Sequence, residues 1–121
     1  LHGALLGLLA GYPRIDGVAL DKLSDKLGRA GAEDGFRVFG EMLTAFLARL
    51  CRDLRAGLPV DRGPEGPAAQ TLARAAGLDR WLEVWEKLTE LFARAESAKL
   101  DRKQVVVDAV LTLAQAARVR T

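Results

Sequence analysis

One segment of this chain, residues 33–56, carries the apolar pattern of a long amphipathic helix. Six large apolar side chains recur there at steps of three and four residues: Phe36, Phe39, Leu43, Phe46, Leu50 and Leu54. Because an α-helix completes a turn in about 3.6 residues, these side chains share one face. Gly57 follows as the expected end of the helix. A stripe of this length has to be covered by other elements, which favours a helical bundle.

Glycines, prolines and capping residues divide the remainder into further helices. We expect helices over residues 1–10, 17–27 and 67–76, in addition to the helix over 33–56. A fifth should begin after Asp79 and carry the residues from Trp81 to Ala95, and a sixth should begin after Asp101 and end near Arg118 and Arg120. Asp16, Asp79 and Asp101 are the expected N-caps, and Gln104 completes a capping-box-like start with Asp101. No segment alternates apolar and polar residues over the length of a strand. The sequence predicts an all-α fold, a single bundle of about six helices with short connections, forming one domain over residues 1–121.

The fifth predicted helix supplies a second apolar stripe for this bundle. Its members are spaced by three or four residues: Trp81, Trp85, Leu88, Phe92 and Ala95. We expect Trp85, in the middle of the stripe, to be a core residue.

The chain lacks the residue types that most enzyme and metal sites need. It has one histidine, His2, and one cysteine, Cys51, which is too few for a zinc site built from these residues or for a di-iron bundle. No phosphate-binding glycine loop followed by lysine is present. We therefore predict no catalytic residues, no cofactor and no metal. A single cysteine excludes an internal disulfide and suits the cytoplasm, and no segment is apolar for long enough to predict a membrane span.

Basic residues are balanced by acidic ones, 18 against 16, giving a net charge of +2. Several of the cations lie near helix ends: Arg49, Arg52, Arg55, Arg102, Lys103, Arg118 and Arg120. The aromatic residues fall on the apolar stripes and not among these cations, so a nucleic-acid surface is not the first interpretation. A small helical DNA-binding or regulatory domain is one alternative. A helical bundle that binds an apolar ligand between the tryptophan stripe and the last helix is another.

The last predicted helix is apolar around most of its circumference, with only a narrow polar strip. Such a helix is covered on two sides, either as the central helix of its own bundle or by a second subunit. If a subunit covers it, the contact should use apolar residues outside the main stripes. The candidate interface residues on the fifth and sixth helices are Leu82, Leu91, Val107, Leu111 and Ala114.

The final third of the chain also carries a resemblance. Residues 78–88 contain Trp-x-x-x-Trp-Glu-Lys, residues 95–96 are Ala-Glu, and residues 100–104 read Leu-Asp-Arg-Lys-Gln before a run of valines. This pattern resembles the end of delta-prime subunits of the clamp loader of bacterial DNA polymerase III. Lys99 departs from it, because asparagine is expected before Leu100.

The resemblance implies a C-terminal collar domain without enzyme activity of its own. The partners it implies are the collar domains of the gamma or tau and delta subunits, with DNA contacted only indirectly, through an assembled ATPase that loads the sliding clamp during replication. It also implies that the chain, which begins at Leu1, is a piece of a longer cytoplasmic protein whose ATPase-like N-terminal part is absent. Self-association of the isolated piece is left open.

Overall fold

Six helices account for most of the residues that the computed structural model describes, which are 2–12, 14–61 and 63–118. They are α1 His2–Ala10, α2 Gly17–Gly28, α3 Glu33–Ala56, α4 Gly66–Ala75, α5 Leu78–Ala98 and α6 Arg102–Arg118. No residue in these three ranges belongs to a strand. The prediction of an all-α bundle of about six helices is confirmed.

Two of the three predicted N-caps are present. The Asp16 carboxylate accepts hydrogen bonds from the backbone N–H groups of Val18 and Ala19, at 3.0 and 3.2 Å. Asp101 accepts one from the N–H of Lys103 at 3.0 Å. Each carboxylate therefore satisfies backbone donors that the first turn of a helix leaves without partners.

The third predicted cap is wrong, because Gly77 is the N-cap of α5 and Asp79 lies inside its first turn. There its negative charge is favoured by the helix dipole and not by a capping bond. The capping-box prediction for Gln104 is not met either. Its side-chain amide donates to Asp108 at 2.8 Å, one turn further along α6.

The ends of α3 and α5 have left-handed backbone conformations. Gly57 has φ +70°, and its N–H group bonds to the carbonyls that α3 leaves open. Lys99 ends α5 with φ +52°, the only positive φ at a non-glycine residue within the described ranges. An L-residue with a Cβ adopts this region at some energetic cost, and asparagine tolerates it better than lysine.

Helices α3 and α5 form one tightly packed antiparallel pair. Gly40 on α3 faces the ring of Phe92 on α5 so closely that a Cβ at position 40 would stand 2.7 Å from a ring carbon. The Phe92 ring also contacts Phe36 and Phe39, with centroid separations of 5.6 and 6.2 Å. These are the tilted and edge-on arrangements that aromatic pairs prefer.

Helix α6 packs against both α2 and α5 and is covered mainly by its own chain. Its buried residues lie on several sides: Val105, Val106, Ala109, Val110, Leu113, Ala114 and Ala116. Of the two explanations for its apolar circumference, the central helix of its own bundle accounts for most of the surface. Leu111, 42% exposed, is the main exception.

Trp81 connects α5 to the end of α4 and to Tyr12, which follows α1. Its side chain is fully buried. The indole N–H donates to the carbonyls of Leu72 at 2.9 Å and Ala76 at 3.1 Å, both near the end of α4. The Tyr12 ring lies beside it, at a centroid distance of 6.2 Å.

Trp85 is only half-buried, so the expectation that it is a core residue is not met. The buried face of α5 includes Val84, which is 4% exposed. One residue is about 100° of helix, enough to move Trp85 to the edge of that face.

Candidate interaction surfaces

Two of the predicted interface residues lie in one groove at the surface between α5 and α6. This α5–α6 groove encloses about 450 Å³. Leu91 and Leu111 contribute apolar surface to it, and the charged residues that line it are Lys87, Glu90, Arg94 and Asp108. A small apolar centre within a charged rim is the composition of many protein–protein contacts.

The other three predicted interface residues do not join this groove. Leu82 is half-buried and lines a separate groove between α3 and α5. Val107 is half-buried and packs against the hydrophobic core. Ala114 is only 4% exposed, because it is buried within its own bundle, and so it offers no surface to a partner.

The α3–α5 groove is the second surface in which apolar and charged side chains meet. It encloses about 190 Å³ and is lined by Ala48, Cys51, Arg52, Arg55, Leu82 and Trp85. The sequence places Trp85 on the apolar stripe of α5, Leu82 outside that stripe, and Arg52 and Arg55 near the end of α3. Only the register of α3 against α5 brings these residues together.

Cys51, which lines this groove, is 6% exposed as a residue. Burial raises the pKa of the thiol, and the positive charge of Arg55 opposes that shift only in part. The thiol is therefore protonated at neutral pH and a poor nucleophile.

The basic pair at the start of α6 has partners within the bundle. Arg102 donates to the carbonyls of Leu27 and Arg29, at 3.2 and 2.7 Å, at the end of α2. It thereby satisfies a helix-end carbonyl and places a cation at the negative end of the α2 dipole. Glu33 lies 3.8 Å from the same guanidinium group.

Lys103 faces two carboxylates on α2, Asp25 at 2.5 Å and Asp21 at 3.6 Å. The hydrogen bond and the charge of Asp25, with a smaller contribution from Asp21, raise the pKa of Lys103. Asp21 and Asp25 are four residues apart and therefore share one face of α2. Two carboxylates on one face are a sequence pattern that favours a cationic partner on a facing helix.

These contacts weaken the DNA-binding interpretation of the cationic clusters. Arg102 and Lys103 are engaged within the bundle, and Arg49 lies 3.3 Å from Glu65. Arg120 and the side chain of Arg118 lie outside the described residues.

Replacing Arg102 with alanine should lower the free energy of unfolding by about 1–2 kcal/mol. This range is the usual contribution of a hydrogen bond donated by a charged group, lowered because the side chain is 25% exposed and solvent screens its charge. Lys103→Ala, which removes a more exposed ion pair, should have a smaller effect. Urea denaturation of both variants measures the difference, and equal losses would mean that the carbonyl contacts of Arg102 contribute nothing beyond charge.

The described residues carry no sign of a metal site or of a membrane span. No group of three or more histidine, cysteine, aspartate or glutamate side chains there is arranged to hold a metal ion. Within them, every helix is too short or too polar to cross a lipid bilayer. No protein-family model, no curated protein and no solved structure matches the chain.

Proposed function

We propose that this chain is a helical assembly domain that holds neighbouring subunits in register through its α5–α6 hairpin. The observation that carries the proposal is the α5–α6 groove, in which Leu111, 42% exposed, and the half-buried Leu91 lie together within a charged rim. The core of the bundle does not need the outer surface of Leu111, so it is available to another protein.

The resemblance gives this domain a specific setting. The Trp-x-x-x-Trp-Glu-Lys segment and the Leu-Asp-Arg-Lys-Gln segment belong to α5 and to the start of α6, the two helices that form the groove. We propose that the domain is the collar of a clamp-loader delta-prime subunit and that its partners are the collar domains of gamma or tau and delta. It would touch DNA only through the assembled ATPase.

Leu111→Asp tests the proposal directly. Burying one leucine contributes about 1.5–3 kcal/mol, and a carboxylate in its place would be buried without a partner. We expect the affinity for purified gamma and delta subunits to fall about a hundredfold or more, measured by analytical ultracentrifugation of mixtures. Circular dichroism should show unchanged helicity, because Leu111 is not a core residue.

Val18→Asp is the matched control. Val18 is an exposed valine on α2, 66% accessible, and lines none of the grooves described above. It should leave assembly unchanged. If Leu111→Asp folds and still assembles with wild-type affinity, the α5–α6 groove is not the interface. Binding of duplex DNA by the wild-type chain at physiological salt, with a steep salt dependence, would instead favour the DNA-binding alternative.

A further inference from the structure

The α3–α5 groove combines an apolar floor with unneutralised positive charge. Leu82 and Trp85 from α5 face Ala48 and Cys51 from α3 across it. Its volume of about 190 Å³ gives room for one large apolar side chain. Trp85, half-buried here, presents an indole to whatever occupies the groove.

Arg52 and Arg55 are the only charged residues that line this groove. Both are exposed, and within the described part of the chain neither forms an ion pair, whereas two other arginines of α3 do. Arg37 lies 3.3 Å from Asp34, and Arg49 lies 3.3 Å from Glu65. The nearest acidic residue in sequence, Asp53, lines a different pocket, beside Phe46 and Leu50.

We propose that the α3–α5 groove binds an acidic peptide segment of a partner protein. One large apolar side chain of the segment would contact Leu82 and Trp85, and its carboxylates would pair with Arg52 and Arg55. Apolar contact with tryptophan and forked hydrogen bonds from arginine are the contributions that dominate many peptide interfaces. This site goes beyond the proposed assembly surface, since α5 separates the two grooves.

Charge and shape favour a peptide over single-stranded nucleic acid. A strand needs a continuous cationic track along its backbone and exposed aromatic rings on which bases stack. This groove offers two cations beside one half-buried indole. Two carboxylates flanking one apolar anchor match that arrangement more closely.

A fluorescein-labelled peptide, Glu-Asp-Phe-Asp-Glu with blocked ends, is a suitable probe for this site. We expect it to bind the full chain, with affinity measured by fluorescence anisotropy. Replacing its phenylalanine with alanine, or its carboxylates with amides, should each weaken binding by about tenfold or more. The chain has two tryptophans, so NMR provides two indole N–H signals. The Trp85 signal should shift, while that of Trp81, which is buried and hydrogen-bonded, should not.

Charge reversal tests which residues form the site. Arg52→Glu with Arg55→Glu should weaken peptide binding about tenfold or more, whereas Lys22→Glu with Arg74→Glu, the same change of charge at exposed positions elsewhere, should not. An unchanged Trp81 signal confirms that each variant is folded. Leu111→Asp should leave peptide binding intact, which separates this proposal from the assembly surface.

Three results would overturn the proposal. One is no binding of the peptide at millimolar concentration. The second is equal weakening by both pairs of charge reversals, which would indicate attraction by net charge alone. The third is a larger shift of the Trp85 signal with oligothymidylate than with the peptide, which would identify single-stranded nucleic acid as the occupant.

Discussion

Replacing Trp81 with alanine should lower the free energy of unfolding by about 3–5 kcal/mol. The side chain is fully buried, so its removal leaves a cavity beside Tyr12 and the end of α4. It also removes the donor to the carbonyls of Leu72 and Ala76. The Leu72 carbonyl still accepts the backbone N–H of Ala76 at 3.2 Å, so the carbonyl of Ala76 bears most of this second loss.

Two further variants separate these contributions. Trp81→Phe keeps most of the ring volume but removes the N–H group, so it should be destabilised by less than Trp81→Ala. Trp85→Ala should also have a smaller effect, because Trp85 is half-buried. Urea denaturation followed by circular dichroism measures all three. A larger loss from Trp85→Ala than from Trp81→Ala would contradict the observed orientation of α5.

Gly40→Ala should lower the free energy of unfolding by about 1–3 kcal/mol, although alanine is the better helix former. The new Cβ would stand 2.7 Å from one ring carbon of Phe92 and 3.0 Å from another. The ring would have to move away from Phe36 and Phe39, or α5 would have to move away from α3. Thermal and urea unfolding both report this loss.

Gly35→Ala is the matched control on the same helix. Its Cβ would meet the Leu27 side chain at 3.5 Å, an ordinary contact. This variant should be neutral or more stable by up to about 1 kcal/mol, because alanine loses less backbone entropy than glycine. Phe92→Leu in the Gly40→Ala background should recover part of the loss. Additive effects of the two changes would show that the Cβ of residue 40 does not clash with the Phe92 ring.

The sequence predicted the helices well where local signals agree. The bounds of α3 were anticipated because Glu33 and Asp34 begin it, an apolar stripe runs through it and Gly57 ends it. Asp79 was misplaced as a cap because an aspartate near a helix start fits either the cap or the first turn. Gly77, which has no side chain to donate or accept, gives no comparable signal.

Burial and groove composition, which depend on how the helices pack against one another, were less predictable. An apolar stripe defines a face only to within about a residue, which is why Trp85 was expected in the core. Leu91 and Leu111 were identified because they lie outside the stripes, and they do share a groove. Ala114 was identified in the same way but is covered by its own bundle. Arg52, Arg55 and Trp85 line one groove only because of the register of α3 against α5, which no local sequence pattern specifies.

The bundle is closed by contacts between its first and last segments, and this has a consequence during synthesis. The Tyr12 hydroxyl donates to the carbonyl of Leu113, 101 residues later, and Arg102 completes the end of α2 across 75 residues. At translation rates of about 5–20 residues per second, the residues of α6 that complete these contacts are synthesised roughly 5–20 s after α1 and α2. On the ribosome the nascent chain therefore exposes the apolar faces of its early helices, and a chaperone that shields them would act in that interval.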